Sequence, residues 1–236
     1  MTVPTVIATF HLLEWSGSFR MMQALVGDRL RYRRRGGLVF LRVLGTGRGT
    51  STAPGAQWGR TAMFCLFEDE SLADTFIADV DQRKGLVESW HVKMRGAGGH
   101  GAWRGHAIPQ MLRDASSGDR PPGGPVAMIT RADVRPAAWR TFSRAARIVD
   151  RELQATEGLL AVVGIGEAPV LRLGTFSLWR DPDTMSAFAR RGPRHQEVVA
   201  RTRSEGWYGE EMFARFTPYW SSGSWDGRDP LRPDPS

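Results

Sequence analysis

"LRVLGTGRG" (41–49) and "LAVVGIGEA" (160–168) align without a gap, setting Gly45 and Gly47 opposite Gly164 and Gly166. The likeness continues outward in the same order. "GRTAMFCLFEDESLADTF" (59–76) answers "VLRLGTFSLWRDPDTMSAF" (170–188), with Leu66, Phe67 and Asp69 facing Leu178, Trp179 and Asp181, and "GAWRG" (101–105) answers "GSWDG" (223–227). Only the first-half loop "TSTAPGAQ" breaks the spacing. Order and spacing that persist over this length mark an internal repeat.

Each half reads alike. A strand rich in β-branched and aromatic residues (6–15; 126–134) leads to a helix (19–34; 137–156), then to the Gly-marked strand pair and a second helix. A last strand is expected at 211–220. The helix at 137–156 is recognised from Trp139, Phe142, Ala146 and Val149, apolar residues three and four apart. This βαββαβ order is the ferredoxin-like unit. The expected fold is therefore α+β, with two tandem ferredoxin-like repeats forming a dimeric α+β barrel-like domain within one chain. The divisions are 1–95 for the first repeat, 96–125 for a Gly/Pro-rich linker, 126–225 for the second repeat and 226–236 for a flexible tail.

With 236 residues, 41% of them apolar, the chain can build a substantial core. No run of 18 apolar residues occurs, and "MTVPTVIATF" lacks the features of a signal peptide, so the expected location is the cytoplasm. The single cysteine, Cys65, excludes an internal disulfide and sits in a strand-like "AMFCLF". The net charge of +7 is densest at Arg29, Arg31, Arg33, Arg34 and Arg35. Cations at the end of a first helix complement its dipole. The other reading is contact with an anionic membrane or a partner, which is not favoured; nucleic acid is not expected as a partner, because the aromatics are interleaved chiefly with aliphatics in strand-like runs.

"GTGRG" is a tight strand connection and not a dinucleotide loop, since no helix follows it and the second copy lacks the third glycine. His91, His100 and His106 have no ligand-like spacing. His195 differs. Pro193 and Gly206 suit the start and stop of a helix, placing His195 near its third position, where the dipole favours the neutral ring. It shares a face with Val198, Val199 and Thr202, and its repeat counterpart is Arg83, so the fold itself does not require a histidine there. Both a metal ligand and a core histidine fit that geometry.

"PVAMITRADVRP", "VVGIGEAPVLRLGTFSLWRDPDTMSAFAR" and "HQEVVARTRSEGWYGEEMFARF" resemble the spheroidene monooxygenase family of carotenoid-oxidising enzymes, most strongly over 125–227. The resemblance implies a haem b (iron) cofactor with His195 as its axial ligand. It also implies an apolar cavity, for which Phe176, Leu178, Phe188, Trp207 and Phe213 are candidates, and cations at Arg172 and Arg215 for propionates or dioxygen cleavage. The expected partners are a small-molecule substrate, hydrophobic or from specialised metabolism, with dioxygen and an electron donor; an oligomer is compatible with the pattern. The alternatives are a haem enzyme of another class (dehydratase, peroxidase or bond-forming) and a cofactor-free binding module of the same fold. Lack of an anchoring helix favours a soluble metabolite as substrate.

Overall fold

The computed structural model describes residues 6–47, 56–113, 123–167, 171–190, 202 and 204–232. The first half runs β1 (Ile7–Trp15), α1 (Ser18–Tyr32), β2 (Leu38–Gly47), β3 (Ala56–Phe67), α2 (Glu70–Asp81), β4 (Leu86–Gly101). After α3 (Ile108–Arg113), the second runs β5 (Val126–Val134), α4 (Trp139–Gln154), β6 (Leu159–Glu167), β7 (Arg172–Trp179), α5 (Pro182–Arg190), β8 (Tyr208–Gly223). A 3₁₀ turn, Pro136–Ala138, leads into α4.

The strands form one closed antiparallel barrel in the order β1-β3-β2-β6-β7-β5-β8-β4. Hydrogen bonding passes between the halves at two seams. Among the described residues β2 meets β6 through Gly45↔Gly166, Thr46↔Ile165 and Gly47↔Gly164. β4 meets β8 from Trp90↔Gly223 to Gly101↔Met212.

Period-two alternation sorts each strand into an inward and an outward set. Inward residues of both halves, including Phe10, Phe64, Trp90, Ile129, Phe176, Leu178 and Phe216, fill the barrel. Phe10 and Phe176 stack at its centre with ring centroids 3.8 Å apart. Outward residues face the helices, which lie outside the barrel: Leu13, Met63, Cys65 and Phe67 pack with α1 and α2, while Val126 and Trp179 pack with Leu153 of α4 and Met185 of α5. The matched aspartates cap matched helices. Asp69 accepts from the Ser71 amide at 2.7 Å and Asp181 from the Thr184 amide at 2.7 Å.

The segment read as a linker is in good part ordered. β4 continues through "GAGGHG" to Gly101, and Ile108 and Leu112 of α3 are buried in the barrel core. Composition misleads here because glycine also serves strands at close approach. Gly99 (φ +148°) and Gly101 (φ +85°) lie so near β8 that a Cβ would collide with the backbone at Phe213 and Glu211. The tail is likewise tied down as far as Asp229, which accepts from Trp90 Nε1 at 2.9 Å and Ser221 Oγ at 2.6 Å. No described helix is long and apolar enough to cross a membrane.

Candidate functional site

The two ends of the barrel carry matched ionic lattices. At one, buried Arg60 donates to Glu14 and Asp226, both at 2.6 Å, and lies 3.5 Å from Glu88. These three carboxylates approach closely enough to suggest a metal site, but Arg60 already sits among them, in ion-pair reach of all three. At the other end Arg131 pairs with Glu210 and Asp133, and Arg172 lies 3.6 Å from Asp133. Glu88 accepts from the amide of Gly227, and Glu210 from that of Gly105, so each lattice secures one "GxWxG" turn. Arg172 thus belongs to a barrel rim. The space beside it, lined by Leu44, Trp103, Arg131 and Ile165, is ≈ 10 Å³, room for one water and no substrate.

The outer face of the second half is different. α4 is held at both ends: Phe142 meets Tyr208 edge-on at 6.0 Å, and Leu153 packs with Val126 and Trp179. Between those anchors it does not seat. Leu153 is the one fully buried residue among its sixteen, although Trp139, Phe142, Ala146 and Val149 form an apolar stripe. Beneath lie rows of short or half-buried side chains: Thr130 and Thr175, in register with each other and with Gly164, then Met128, Ser177 and Val162. Pinned at both ends over a floor of small residues, α4 buries one residue where α1 and α2 each bury four, and this loosely seated helix–sheet layer is the candidate crevice. Ser143 Oγ is buried without a hydrogen-bond partner among the described residues.

Alternation also divides the predicted cavity residues. Phe176 and Leu178 point into the barrel and cannot line this crevice, a correction that follows from their shared parity. Phe188 lies on the outer side, tilted on Trp179 at 5.5 Å. Phe213 is outward too, stacked on exposed His100 with centroids 5.0 Å apart. Arg215, also outward and exposed, sits opposite Met128 in the ladder. Trp207 is buried beside the chain entering β8, its Nε1 donating to Glu205 at 2.7 Å. His195 lies outside the described residues.

The structure adds Tyr208, Thr130, Thr175, Ser177 and Ser143 to the crevice. Burial first, then the Glu211 carboxylate, pushes the Tyr208 phenol up to about 12, so it holds its proton at neutral pH. The signal in the sequence was the pattern of β7, where inward Phe176 and Leu178 alternate with outward Thr175 and Ser177.

A flat macrocycle bearing carboxylates needs two apolar walls, a nearby cation and polar groups at its rim. The α4 stripe and the half-buried Met128 and Val162 are the apolar candidates, Tyr208 and Ser143 the polar ones, and Arg215, whose guanidinium lies toward Gly98 of β4, the candidate cation. The described residues fit such a group.

No protein-family model matches the chain. A spheroidene monooxygenase of Rubrivivax gelatinosus is 38% identical over 198 residues, covering 81% of this chain and 73% of the relative. One from Rhodobacter capsulatus is 30% identical over 198 residues, covering 81% and 80%. Among solved structures, an aldoxime dehydratase aligns with a TM-score of 0.53 at 13% identity, over 90% of this chain and 81% of that one. That last likeness is one of fold.

Proposed function

The chain belongs to the spheroidene monooxygenase family and is an oxidoreductase, and from that premise we propose that it is a haem-dependent monooxygenase of a carotenoid-like, hydrophobic substrate, working at the crevice under α4. The observation that supports the reading is the shallow seating of α4, one buried residue in sixteen, over the short outward side chains of β5 and β7. The relatives' activity favours a polyene over the soluble metabolite that the absence of an anchoring helix suggested. The two halves are read as copies of one ferredoxin-like unit of which only the second kept space for a cofactor.

Bound there, haem supplies dioxygen activation, one oxygen atom entering the product and the other leaving as water at the cost of two electrons and two protons from a reductant. The chain's residues do the rest. His195 would hold the iron by a ring nitrogen, the α4 stripe with Phe188 and Phe213 would exclude water, and Arg215 would pair with a carboxylate of the group. The Tyr208 hydroxyl keeps its proton at Oη at neutral pH and would offer it as a hydrogen-bond donor to the bound group. Arg172, committed to Asp133 on the barrel rim, holds the fold.

The test is to add haem to the purified chain, record the optical spectrum, and assay spheroidene turnover with and without dioxygen and reductant. A Soret band with turnover dependent on both is expected. A spectrum of free haem alone sinks the cofactor assignment, and turnover without dioxygen sinks the reaction class.

A further inference from the structure

α1 has two apolar faces. Met21, Ala24 and Tyr32 are buried against the sheet with Asp28. On the opposite side Phe19, Met22, Val26 and Leu30 are 73%, 43%, 65% and 62% exposed. Their spacing of three, four and four residues aligns them in one stripe along the helix. Two more exposed apolar residues flank the strand end from which α1 departs. α1 leaves the barrel after Trp15, which is in register with Leu86 and adjacent to Gly59, and the next residues, Val87 and Trp58, are also largely exposed. The other helices are built differently. α2 shows water Ser71, Asp74, Thr75 and Asp79, and α4 shows Arg140, Arg144, Arg147 and Arg151 with one isoleucine, Ile148. A contiguous apolar stripe of this kind marks a surface that is covered in use.

Charge selects the occupant. Arg29, Arg33 and Arg34 are exposed around the end of the stripe, with Arg31 beside Tyr32, and Arg29, Arg33 and Arg34 have no acidic partner among the described residues. The sole acid of α1, Asp28, is buried and paired to Arg83. A second copy seated stripe to stripe would therefore bring its arginines to a helix with no free carboxylate to receive them, whichever way the two helices ran. Anionic headgroups reverse that sign, and arginine stems reach from apolar depth to the headgroup level.

We propose that α1 is a docking helix that lies in the surface of an anionic lipid bilayer, Phe19, Met22, Val26 and Leu30 entering the acyl boundary while Arg29, Arg31, Arg33 and Arg34 bind headgroup phosphates. The attachment is peripheral and reversible. It stands apart from the cofactor, because none of these residues touches the crevice.

Co-sedimentation of the full chain with vesicles of phosphatidylglycerol mixed with phosphatidylcholine tests it. Binding at low salt, weaker by about tenfold or more on phosphatidylcholine alone, is expected. Val26→Ser with Leu30→Ser removes apolar depth and keeps the charge; binding falls by about tenfold or more. The triple change Arg29→Gln, Arg33→Gln, Arg34→Gln abolishes the preference for the anionic lipid. The matched change Arg140→Gln, Arg144→Gln, Arg147→Gln on α4 leaves binding unaltered. All substituted side chains are exposed, and circular dichroism verifies the fold. The proposal is overturned by absence of vesicle binding, by equal loss in the α4 variant, or by unimpaired binding of the Val26/Leu30 variant. A concentration-dependent dimer that the Val26/Leu30 variant dissolves, without lipid binding, assigns the stripe to a second copy instead.

Discussion

The two outer faces of the barrel share a plan and differ in what fills them. In the first half Met63, Cys65 and Phe67 meet Met21, Tyr32, Phe76 and Val80 in a closed layer. At the matching places in β7 stand Thr175, Ser177 and Trp179: the tryptophan packs with Leu153 and Met185 and donates to the buried Ser177 hydroxyl at 3.0 Å, while Thr175 is half-buried. Where β5 has Thr130 and β8 has Phe213, the first half carries His11 and His91 in register. These buried imidazoles form a chain: Thr9 Oγ1 to His11 Nε2 at 2.7 Å, His11 Nδ1 to His91 Nδ1 at 2.8 Å, and His91 Nε2 to Asp81 at 2.9 Å. It is satisfied with both rings neutral: Thr9 donates to His11, His11 Nδ1–H to His91, and His91 Nε2–H to Asp81. One face spends its interior on packing and a saturated polar chain; the other leaves room. What distinguishes a site from a support on this fold is side-chain volume at a few outward strand positions.

The sharpest way to break that contrast is at its repeat-matched pair. His195→Ala is expected to lower haem affinity by about a hundredfold or more with the fold intact, read from Soret absorbance and circular dichroism. Arg83→Ala should keep haem but strip the buried Asp28 of its partner, costing about 3 kcal/mol in urea unfolding. Equal haem content in wild type and His195→Ala refutes the ligand.

Next in size is the aromatic under each helix pair. Phe76 is fully buried against His11, Tyr32 and Phe67, so Phe76→Ala should cost about 3–5 kcal/mol, whereas Phe188→Ala, half-exposed beside the crevice, should cost about 1–2 kcal/mol and weaken cofactor binding. Matching costs would show that the second face is as tightly filled as the first. Exchanging the faces gives a third test. Met63→Thr should lose about 2–3 kcal/mol, while Thr175→Met should leave stability within about 1 kcal/mol and block haem uptake.

The smallest effect is pH dependence. Burial, then the neighbouring His91, holds the His11 pKa well below its ordinary value. The unfolded chain therefore binds a proton near pH 6.5 that the folded chain refuses, and stability falls as pH drops below about 6.5, by at most about 1.4 kcal/mol per pH unit for this group. The double change His11→Thr, His91→Phe, which copies the second half, should flatten that slope. An unchanged slope in chemical denaturation would assign the dependence elsewhere.

The barrel was legible because strand alternation and the paired glycine segments are local signals repeated over a long stretch. β5 was placed at its observed bounds, and α4 was recognised from the same Trp139, Phe142, Ala146 and Val149 that now roof the crevice. The cavity list was less legible. Phe176 and Leu178 look like pocket residues by type, but side depends on which parity faces the barrel, and that is settled by closure with the other half. His11 gave no signal at all; its partner His91 is 80 residues away and meets it only through the β1–β4 ladder. Gly96 to Gly101 read as a linker because composition cannot tell a loop glycine from one pressed against a neighbouring strand.

Because β2 joins β6 and β4 joins β8 within one polypeptide, the cylinder closes without a second chain. In an assembly of two identical chains, any substitution that hollowed one flank would hollow the other, doubling the loss of cohesion for each cavity opened. Covalent continuity removes that symmetry tax. Each flank is free to take its own side chains, and here one is packed closed while the other seats its first helix by a single buried residue.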